Sequence, residues 1–182
     1  MRPFIIGIGG GHSGSGKTAV ACAILEKLEG WGAIKYTKTS LFSAIVDDRE
    51  VLSEQGKDTK RLLDSGAEKV LWVRSPVNEL GEILPMAVEM LSYLNGIVVE
   101  GNSAVKVLTP DIVIFSSGTE GKIKQGADEV LRMSDVVIFD KKLPPLTPKD
   151  AVRFSRDAMG RCIDFIRKCI KENRRKKDSG EA

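Results

Sequence analysis

Residues 11–18 read GHSGSGKT, and this octapeptide decides the fold. Its glycines, lysine and threonine match the pattern GxxxxGK[ST] with the correct spacing. An apolar run at 4–9 precedes it and predicts a strand, and residues 18–28 follow it with apolar positions at helical spacing. A strand, a glycine-rich loop and a helix in this order indicate a loop that binds phosphate through backbone N–H groups and a helix N-terminus.

The residues of this phosphate loop have different expected roles. The nucleotide-binding residues are predicted to be Gly11, His12, Ser13, Gly14, Ser15, Gly16, Lys17 and Thr18. We expect Lys17 to reach the terminal phosphates and the Thr18 hydroxyl to ligate Mg²⁺. His12 occupies a variable position of the motif, and the sequence leaves open whether it contacts the nucleotide or has no role.

Two acidic residues are candidates for the metal side of the site. Glu100 ends an apolar run at 96–100, and ligands gather at the carboxyl ends of strands in open α/β sheets. Asp58 opens a predicted short helix at 58–65, where it either caps the helix or joins the metal shell. We therefore expect Thr18, Asp58 and Glu100 to hold Mg²⁺, and Lys17, Asp58 and Glu100 to be the catalytic residues.

The remaining pattern alternates strands with helices, which predicts a three-layer α/β/α fold of the P-loop NTPase type with a mostly parallel sheet. Strands are predicted at 4–9, 33–37, 69–74, 96–100, 111–115 and 136–139. Helices are predicted at 18–28, 58–65, 77–94, 122–133 and 148–171, with a long polar loop at 38–57. We expect one nucleotide-binding domain over 1–172 and a basic, disordered tail over 173–182.

Composition excludes several classes of protein. Of 182 residues, 42% are hydrophobic and 29% charged, as in soluble globular chains. No apolar run approaches the roughly 18 residues that span a bilayer, and the first residues lack a signal-peptide layout, so we expect a cytoplasmic protein without a membrane partner. Cys22, Cys162 and Cys169 form no CxxC pair, and the single histidine, His12, leaves little material for a zinc site.

Charge is unevenly distributed along the chain. The net charge is +3, but residues 167–177 alone hold seven basic residues and one acidic residue. Such a segment either binds an acidic partner or is a solvated terminus. Because no aromatic residues are interleaved and no recognition motif is present, we do not expect nucleic acid as a partner.

Several short motifs carry a family resemblance over about residues 5–102. They are GKT at 16–18, IKYT at 34–37, GKDT at 56–59, SGA at 65–67 and VEG at 99–101. In this order and at these distances the chain resembles MobB, the molybdopterin-guanine dinucleotide biosynthesis protein B family. The resemblance implies a homodimeric GTP-binding protein with weak hydrolysis. It would assist a molybdopterin guanylyltransferase-type enzyme or a molybdoenzyme maturation factor. It also implies that Asp58 and Glu100 lie on the metal side and that Lys35 lies near the phosphates or the substrate.

Some residues depart from the family pattern and leave alternatives open. Tyr36 stands where MobB proteins usually have histidine, and Asn95 and Asn102 also differ, so the identity of a second ligand stays open. The same constellation resembles dethiobiotin synthetase and the nickel-insertion GTPases. An NKxD base-recognition motif is absent after the strand at 136–139, where residues 140–142 are interpreted as a polar turn in preference to a degenerate base site. The residues themselves leave GTP and ATP open, and GTP is implied by the resemblance.

Two functions compete on these observations. In the first, the polar loop at 38–57 orders around the γ-phosphate and Mg²⁺, and the protein is a slowly hydrolysing accessory switch, a weak NTPase at most. In the second, Lys35 and residues after Gly101 bind an anionic substrate beside the nucleotide in a ligase or kinase.

Overall fold

The computed structural model describes residues 2–178, which form one eight-stranded sheet and the helices on its two faces. The strands are β1 (Phe4–Gly10), β2 (Trp31–Lys38), β3 (Ala44–Val46), β4 (Val70–Ser75), β5 (Gly96–Glu100), β6 (Ile112–Ser116), β7 (Val136–Phe139) and β8 (Val152–Ser155). Their order across the sheet is β3-β4-β2-β5-β1-β6-β7-β8. Every pair of neighbours is parallel except β3 and β4. The predicted mostly parallel sheet is confirmed, and β1, which leads into the phosphate loop, lies inside it.

Helices cover both faces of the sheet. They are α1 (Lys17–Leu25), α2 (Arg49–Leu52), α3 (Asp58–Asp64), α4 (Leu80–Glu89), α5 (Asn102–Leu108), α6 (Asp128–Arg132) and α7 (Met159–Asp178). The core consists of one cluster that joins α1, α3 and α7 to one face and two clusters that join α4, α5 and α6 to the other. Successive residues of β1 alternate between them, since Ile5 packs toward α4 and Ile6 toward α1. The three-layer α/β/α architecture is therefore confirmed.

The segment at 38–57 is not the structureless loop that its polar composition predicts. It contains the edge strand β3 and the single-turn helix α2. The Asp48 carboxylate accepts hydrogen bonds from the backbone N–H groups of Glu50 and Val51, which caps α2. Elements of three and four residues are too short to show a hydrophobic period, so composition alone does not reveal them.

Two predicted helices are shorter than their apolar patterns suggest. The helix predicted at 77–94 consists of a 3₁₀ turn (Val77–Glu79) and α4, and after Glu89 the chain continues in turns with i to i+3 hydrogen bonds such as Leu91 N–H to Val88 O. The helix predicted at 122–133 is reduced to α6, because Gly126 takes a left-handed φ of 83° that a helix cannot contain.

The segment predicted as one helix at 148–171 is wrong in its first half. Residues 152–155 form β8, which pairs with β7, and a 3₁₀ turn (Arg156–Ala158) leads into α7. The apolar side chains of Val152 and Phe154 are two residues apart, which is a strand period, but one such pair is too short to stand out beside the helical pattern that follows in α7.

The boundary predicted at residue 172 lies inside α7, which continues to Asp178. Residues 171–177 are mostly Lys, Arg and Glu, which favour helix, and cations near a helix C-terminus interact favourably with its dipole. The predicted disordered tail is therefore wrong for 173–178, and 179–182 lie outside the described residues. None of the helices formed by residues 2–178 combines the length and apolar character that crossing a bilayer requires.

Candidate functional site

The phosphate loop connects the buried strand β1 to the first turn of α1. Gly14 and Gly16 have φ values of 77° and 88°, in the left-handed region that favours glycine. A Cβ at Gly14 would meet no heavy atom within 4 Å, so this part of the loop faces open space. The first turn of α1 contains no acidic residue, which leaves its N-terminal N–H groups and dipole available to an anion.

Lys17 extends across the mouth of this loop. Its Nζ donates a hydrogen bond to the backbone oxygen of His12 at 2.9 Å. Burial lowers the pKa of Lys17, an effect that the charge of Glu100 partly opposes. The ammonium thus lies over the loop with a backbone carbonyl as its partner.

A network of charged side chains lies beside the loop. The Thr18 hydroxyl donates to Glu100 Oε2 at 2.9 Å, and Lys35 Nζ donates to Glu100 Oε1 at 2.6 Å. The same Lys35 ammonium donates to Asp58 Oδ2 at 2.7 Å. The Glu100 side chain is only 2% exposed, whereas that of Asp58 is 40% exposed. One lysine therefore holds both carboxylates, one of them buried, next to the phosphate loop.

Strand register brings this network together. Glu100 is opposite Ile8 of β1 on one side and opposite Lys35 of β2 on the other. Parallel neighbours direct paired side chains to the same face, so the last residue of β5 meets Lys35 and the loop that leaves β1. The sequence predicts Glu100 at this edge of the sheet, and that placement is confirmed.

The pKa shifts of the pair Lys35 and Asp58 have opposing causes. Burial lowers the pKa of Lys35, but the charge of Glu100 and the hydrogen bonds to both carboxylates outweigh it, so the net pKa is raised. For Asp58, burial raises the pKa, but the hydrogen bond and charge of Lys35 outweigh burial, so the net pKa is lowered. The pair is therefore held in its ionised form.

Asp58 is the first residue of α3 and follows the N-cap residue Lys57. Its carboxylate contacts Lys35, and it lies 3.6 Å from the guanidinium of Arg61 one turn later. The sequence leaves open whether Asp58 caps a helix or joins the metal shell. In the structure Asp58 faces the phosphate loop, and its charge also stabilises the N-terminal turn of α3.

These groups line a cavity of about 390 Å³. It is bounded by Ser13, Gly14, Gly16, Lys17, Thr18, Ala19, Lys35, Asp58, Arg61 and Glu100. His12 instead lines a neighbouring cavity of about 580 Å³ with residues of the loop after β6, and its Nδ1 lies 2.6 Å from Ser13 O. The structure thus brings Lys17, Thr18, Lys35, Asp58 and Glu100 together, and their roles toward a ligand stay predictions.

The donor set of this cavity fits Mg²⁺. Thr18, Asp58 and Glu100 offer only oxygen atoms, which a hard cation prefers, and Mg²⁺ in nucleotide sites takes one or two carboxylates together with phosphate oxygens and water. Ser15 Oγ is also buried without a hydrogen-bond partner, but it lies under the loop against Gly10 and outside the residues that line the cavity. Among the described residues, no three His, Cys, Asp or Glu side chains converge in a metal-binding group, so phosphate oxygens and water would complete the shell.

Sequence reasoning missed Arg156, which contacts the phosphate loop from the far end of the chain. Its Nη2 donates to Ser15 O at 3.1 Å and to Ser116 Oγ at 3.0 Å, and its Nε donates to Asp140 Oδ1 at 2.6 Å. A Cβ at Gly16 would lie 2.6 Å from Arg156 Nη1, so the guanidinium lies directly against the loop. This arginine links the end of β7 to the base of the phosphate loop.

Arg156 could not be found because its segment was assigned to a helix, whereas it begins the 3₁₀ turn after β8. Asp140 did give a signal, since it is an acid directly after the apolar strand β7. The turn interpretation of residues 140–142 overlooks this ion pair, which occupies the carboxylate of Asp140.

Fold and loop together define the class: this chain has the P-loop nucleotide-binding fold. Its sequence matches no protein-family model and no curated protein. Among solved structures it is similar to HypB from Helicobacter pylori, determined in complex with nickel, with 11% identity over 94% of this chain and 89% of that chain and a TM-score of 0.61. It is also similar to a LAO/AO transport system kinase, with 13% identity, a TM-score of 0.52, and coverage of 95% of this chain and 62% of that one. At these identities the likeness shows the fold alone, and the resemblance to MobB stays a prediction.

Proposed function

We propose that this protein binds GTP together with Mg²⁺ and hydrolyses it slowly. The observation that carries the proposal is the hydrogen bond from Thr18 to Glu100, which joins the end of the phosphate loop to a buried carboxylate at the end of the neighbouring strand. A hydroxyl and a carboxylate in this relation are suited to a cation that also binds nucleotide phosphates.

In the proposed complex, loop N–H groups and Lys17 bind the phosphates, and Thr18, Glu100 and Asp58 hold the cation. Bound Mg²⁺ would supply charge neutralisation at the β- and γ-phosphate oxygens. Since Thr18 donates its proton to Glu100, the lone pairs of its oxygen face away from that carboxylate and are available as a ligand. Lys35, between the two carboxylates, is in reach of a terminal phosphate.

Slow hydrolysis follows from the partners of the acidic groups. Lys35 pairs with both Asp58 and Glu100, so neither carboxylate that lines the cavity is free to accept a proton from an attacking water. Phosphoryl transfer depends on positioning and electrostatics, and a site without a residue that orients water is expected to turn over slowly.

The proposed physiological role is accessory. The motifs shared with MobB support assistance to molybdopterin guanine dinucleotide synthesis, as a homodimer working with a guanylyltransferase-type enzyme or a maturation factor. The second candidate is a nickel-insertion type of GTPase, favoured by the likeness to HypB in complex with nickel. Cys22 and Cys162 are buried thiols whose pKa values burial raises, so a soft-metal site would need ligands from elsewhere. An ATP-dependent ligase of the dethiobiotin synthetase type is the third.

Calorimetry with GTP, GDP, ATP and ADP, each with Mg²⁺ and with EDTA, tests the nucleotide proposal. We expect saturable binding of guanine nucleotides that weakens in EDTA and in Lys17→Ala. The matched control is Lys27→Ala, an exposed lysine at the other end of α1, and it should bind like the parent. Absence of binding by all four nucleotides would refute the proposal. Phosphate release that requires an added anionic small molecule, and does not occur with nucleotide alone, would favour the ligase or kinase alternative.

A further inference from the structure

Arg74 of β4 lacks the partner that a buried arginine normally has. Its guanidinium carbon lies 4.8 Å from the centre of the Trp72 ring and 5.6 Å from that of Phe42, so two aromatic rings flank it. Its Nε is buried without a hydrogen-bond partner, and within residues 2–178 no carboxylate forms an ion pair with it. A half-buried cation with an unused donor is an unusual arrangement unless a ligand supplies the acceptor.

A further cation lies over the same indole. Lys57 Nζ lies 5.0 Å from the centre of the Trp72 ring, and its ion-pair partner is Glu54, three residues earlier in the turn between α2 and α3. Trp72 Nε1 donates to Thr37 Oγ1 at 3.0 Å, which fixes the indole against the end of β2. We call this surface, formed by Thr37, Phe42, Lys57, Trp72 and Arg74, the Arg74 patch.

Sheet register connects the Arg74 patch to the candidate nucleotide site. Lys35 of β2 is opposite Glu100 on one side and opposite Trp72 on the other. Thr37 and Arg74 form the pair two residues further toward the carboxyl ends of the strands. Adjacent strands are about 4.8 Å apart, so the patch begins one strand away from the lysine that faces the phosphate loop. A small molecule on the patch would therefore lie on the same face of the sheet as Lys35, toward the carboxyl ends of β2 and β4.

We propose that the Arg74 patch binds the phosphate or carboxylate group of a small second ligand next to the nucleotide. Arginine presents parallel N–H donors that match a planar or tetrahedral oxyanion, and flanking rings hold its guanidinium in one orientation. The positive charges of Lys57 and Arg74 together favour an anion over a neutral or cationic ligand. The inference rests on the proposed function in one respect, the location of this ligand next to a bound nucleotide.

The test is a titration of inorganic phosphate or acetate at constant ionic strength. The full chain is first saturated with Mg²⁺ and a non-hydrolysable GTP analogue, so that the phosphate loop is filled. Trp31 is buried and Trp72 is partly exposed, so a change in tryptophan fluorescence reports on the patch, and calorimetry gives the affinity. A stronger response to phosphate or to acetate identifies which oxyanion the ligand carries.

Three variants give the titration its controls. We expect Arg74→Met to weaken anion binding at least about tenfold without changing affinity for the GTP analogue. Arg74→Lys retains the positive charge but lacks the parallel N–H donors of the guanidinium, so its anion affinity should lie between those of the parent and Arg74→Met. If Arg74→Met does not fold, Arg74→Lys replaces it in the comparison with the parent. Arg153→Met removes an exposed arginine from β8 at the opposite edge of the sheet and should bind like the parent.

Lys17→Ala separates this inference from the proposed function. In that variant, without nucleotide, the phosphate response at Trp72 should persist and should disappear when Arg74→Met is added. Anion binding that survives Arg74→Met, or a parent chain without a saturable response to either anion, would overturn the inference. A parent chain that responds to phosphate but binds none of the nucleotides would refute the proposed function and leave the anion site standing.

Discussion

Replacing Lys35 with methionine removes the cation that holds two carboxylates and keeps a side chain of similar length. In the parent, Lys35 Nζ lies 2.6 Å from Glu100 Oε1 and 2.7 Å from Asp58 Oδ2. In the variant, Glu100 retains one hydrogen bond, from Thr18, and a buried charge without a counter-ion. The ligand-free protein should therefore lose stability.

The size of the loss follows from the exposure of the two acids. Removing one partner of a buried ion pair costs about 3–5 kcal/mol, whereas exposed pairs contribute at most about 1 kcal/mol. Glu100 is buried, but Asp58 is 40% exposed and regains water when Lys35 is gone. We therefore expect a loss of about 2–4 kcal/mol in the free energy of unfolding. For a chain of this size that corresponds to a melting temperature lower by about 4–16 °C.

The effect should be constant over the middle of the pH range. The raised pKa of Lys35 means that its contribution is present below the unfolded value near 10.5 and is lost as pH rises through the folded pKa. The lowered pKa of Asp58 means that its contribution is present above the unfolded value near 3.8 and is lost as pH falls through the folded pKa. The difference between parent and Lys35→Met should therefore be flat from about pH 5 to pH 9 and shrink outside that window.

Urea unfolding of the parent and three variants measures this loss. Lys69→Met, which breaks the exposed pair with Asp47 at 3.0 Å, is the control and should cost less than about 1 kcal/mol. Adding Glu100→Gln to Lys35→Met removes the uncompensated charge and should restore most of the stability. Excess Mg²⁺ should stabilise Lys35→Met more than the parent. If Lys35→Met costs no more than Lys69→Met and the double variant recovers nothing, Lys35 is not the counter-ion of Glu100.

Three further predictions concern the loop and the thiols. Lys17→Ala should lower nucleotide affinity roughly 10- to 150-fold in calorimetry, because a charged hydrogen bond is worth about 1.5–3 kcal/mol, and unchanged affinity would contradict the phosphate-loop assignment. Arg156→Ala should weaken nucleotide binding about tenfold, because it releases the phosphate loop and leaves Asp140 unpaired. Asp140→Asn should have a smaller effect in the same direction. Equal nucleotide affinity in both variants and the parent would mean that Arg156 is only a surface contact. Burial raises the pKa of Cys162 to about 12, so at pH 9 only about one folded molecule in a thousand carries its thiolate. Mass spectrometry after treatment with iodoacetamide should therefore find Cys169 alkylated before Cys162. Rapid labelling of Cys162 in the folded protein would contradict this.

The sequence is most informative where a pattern is local. An apolar run ending in glycines places β1, and the octapeptide after it places the phosphate loop. Position alone then predicts that Glu100, at the end of another buried strand, meets that loop, because the carboxyl ends of parallel strands share one edge of the sheet. Lys35 and Asp58 enter through the resemblance to MobB and the start of a helix, and the ion pair between them is found only in the structure.

The sequence is least informative where a contact joins distant segments. Arg156 reaches Ser15 across 141 positions, and nothing near either residue signals the other. The short strand β8 is hidden because its four residues show only one pair at strand spacing, and the much longer helical pattern of α7 follows almost directly. Only pairing with β7 decides between the two, and pairing is a property of the assembled sheet.

Three cations at the phosphate loop already have partners inside the protein. Lys17 donates to His12 O, Lys35 to Glu100 and Asp58, and Arg156 to Asp140 and Ser15 O. A nucleotide must therefore exchange partners with the protein, and each exchange returns less free energy than a contact made by a free charge. The exchanges differ in their free-energy cost. When Lys17 turns to a phosphate it gives up a neutral backbone carbonyl, whereas Lys35 would leave two charged carboxylates next to the incoming polyanion. A divalent cation that takes over those carboxylates removes this second cost. Phosphate binding through Lys17 is accordingly the part of the site that works without metal, and the part around Lys35 is where metal and nucleotide have to act together.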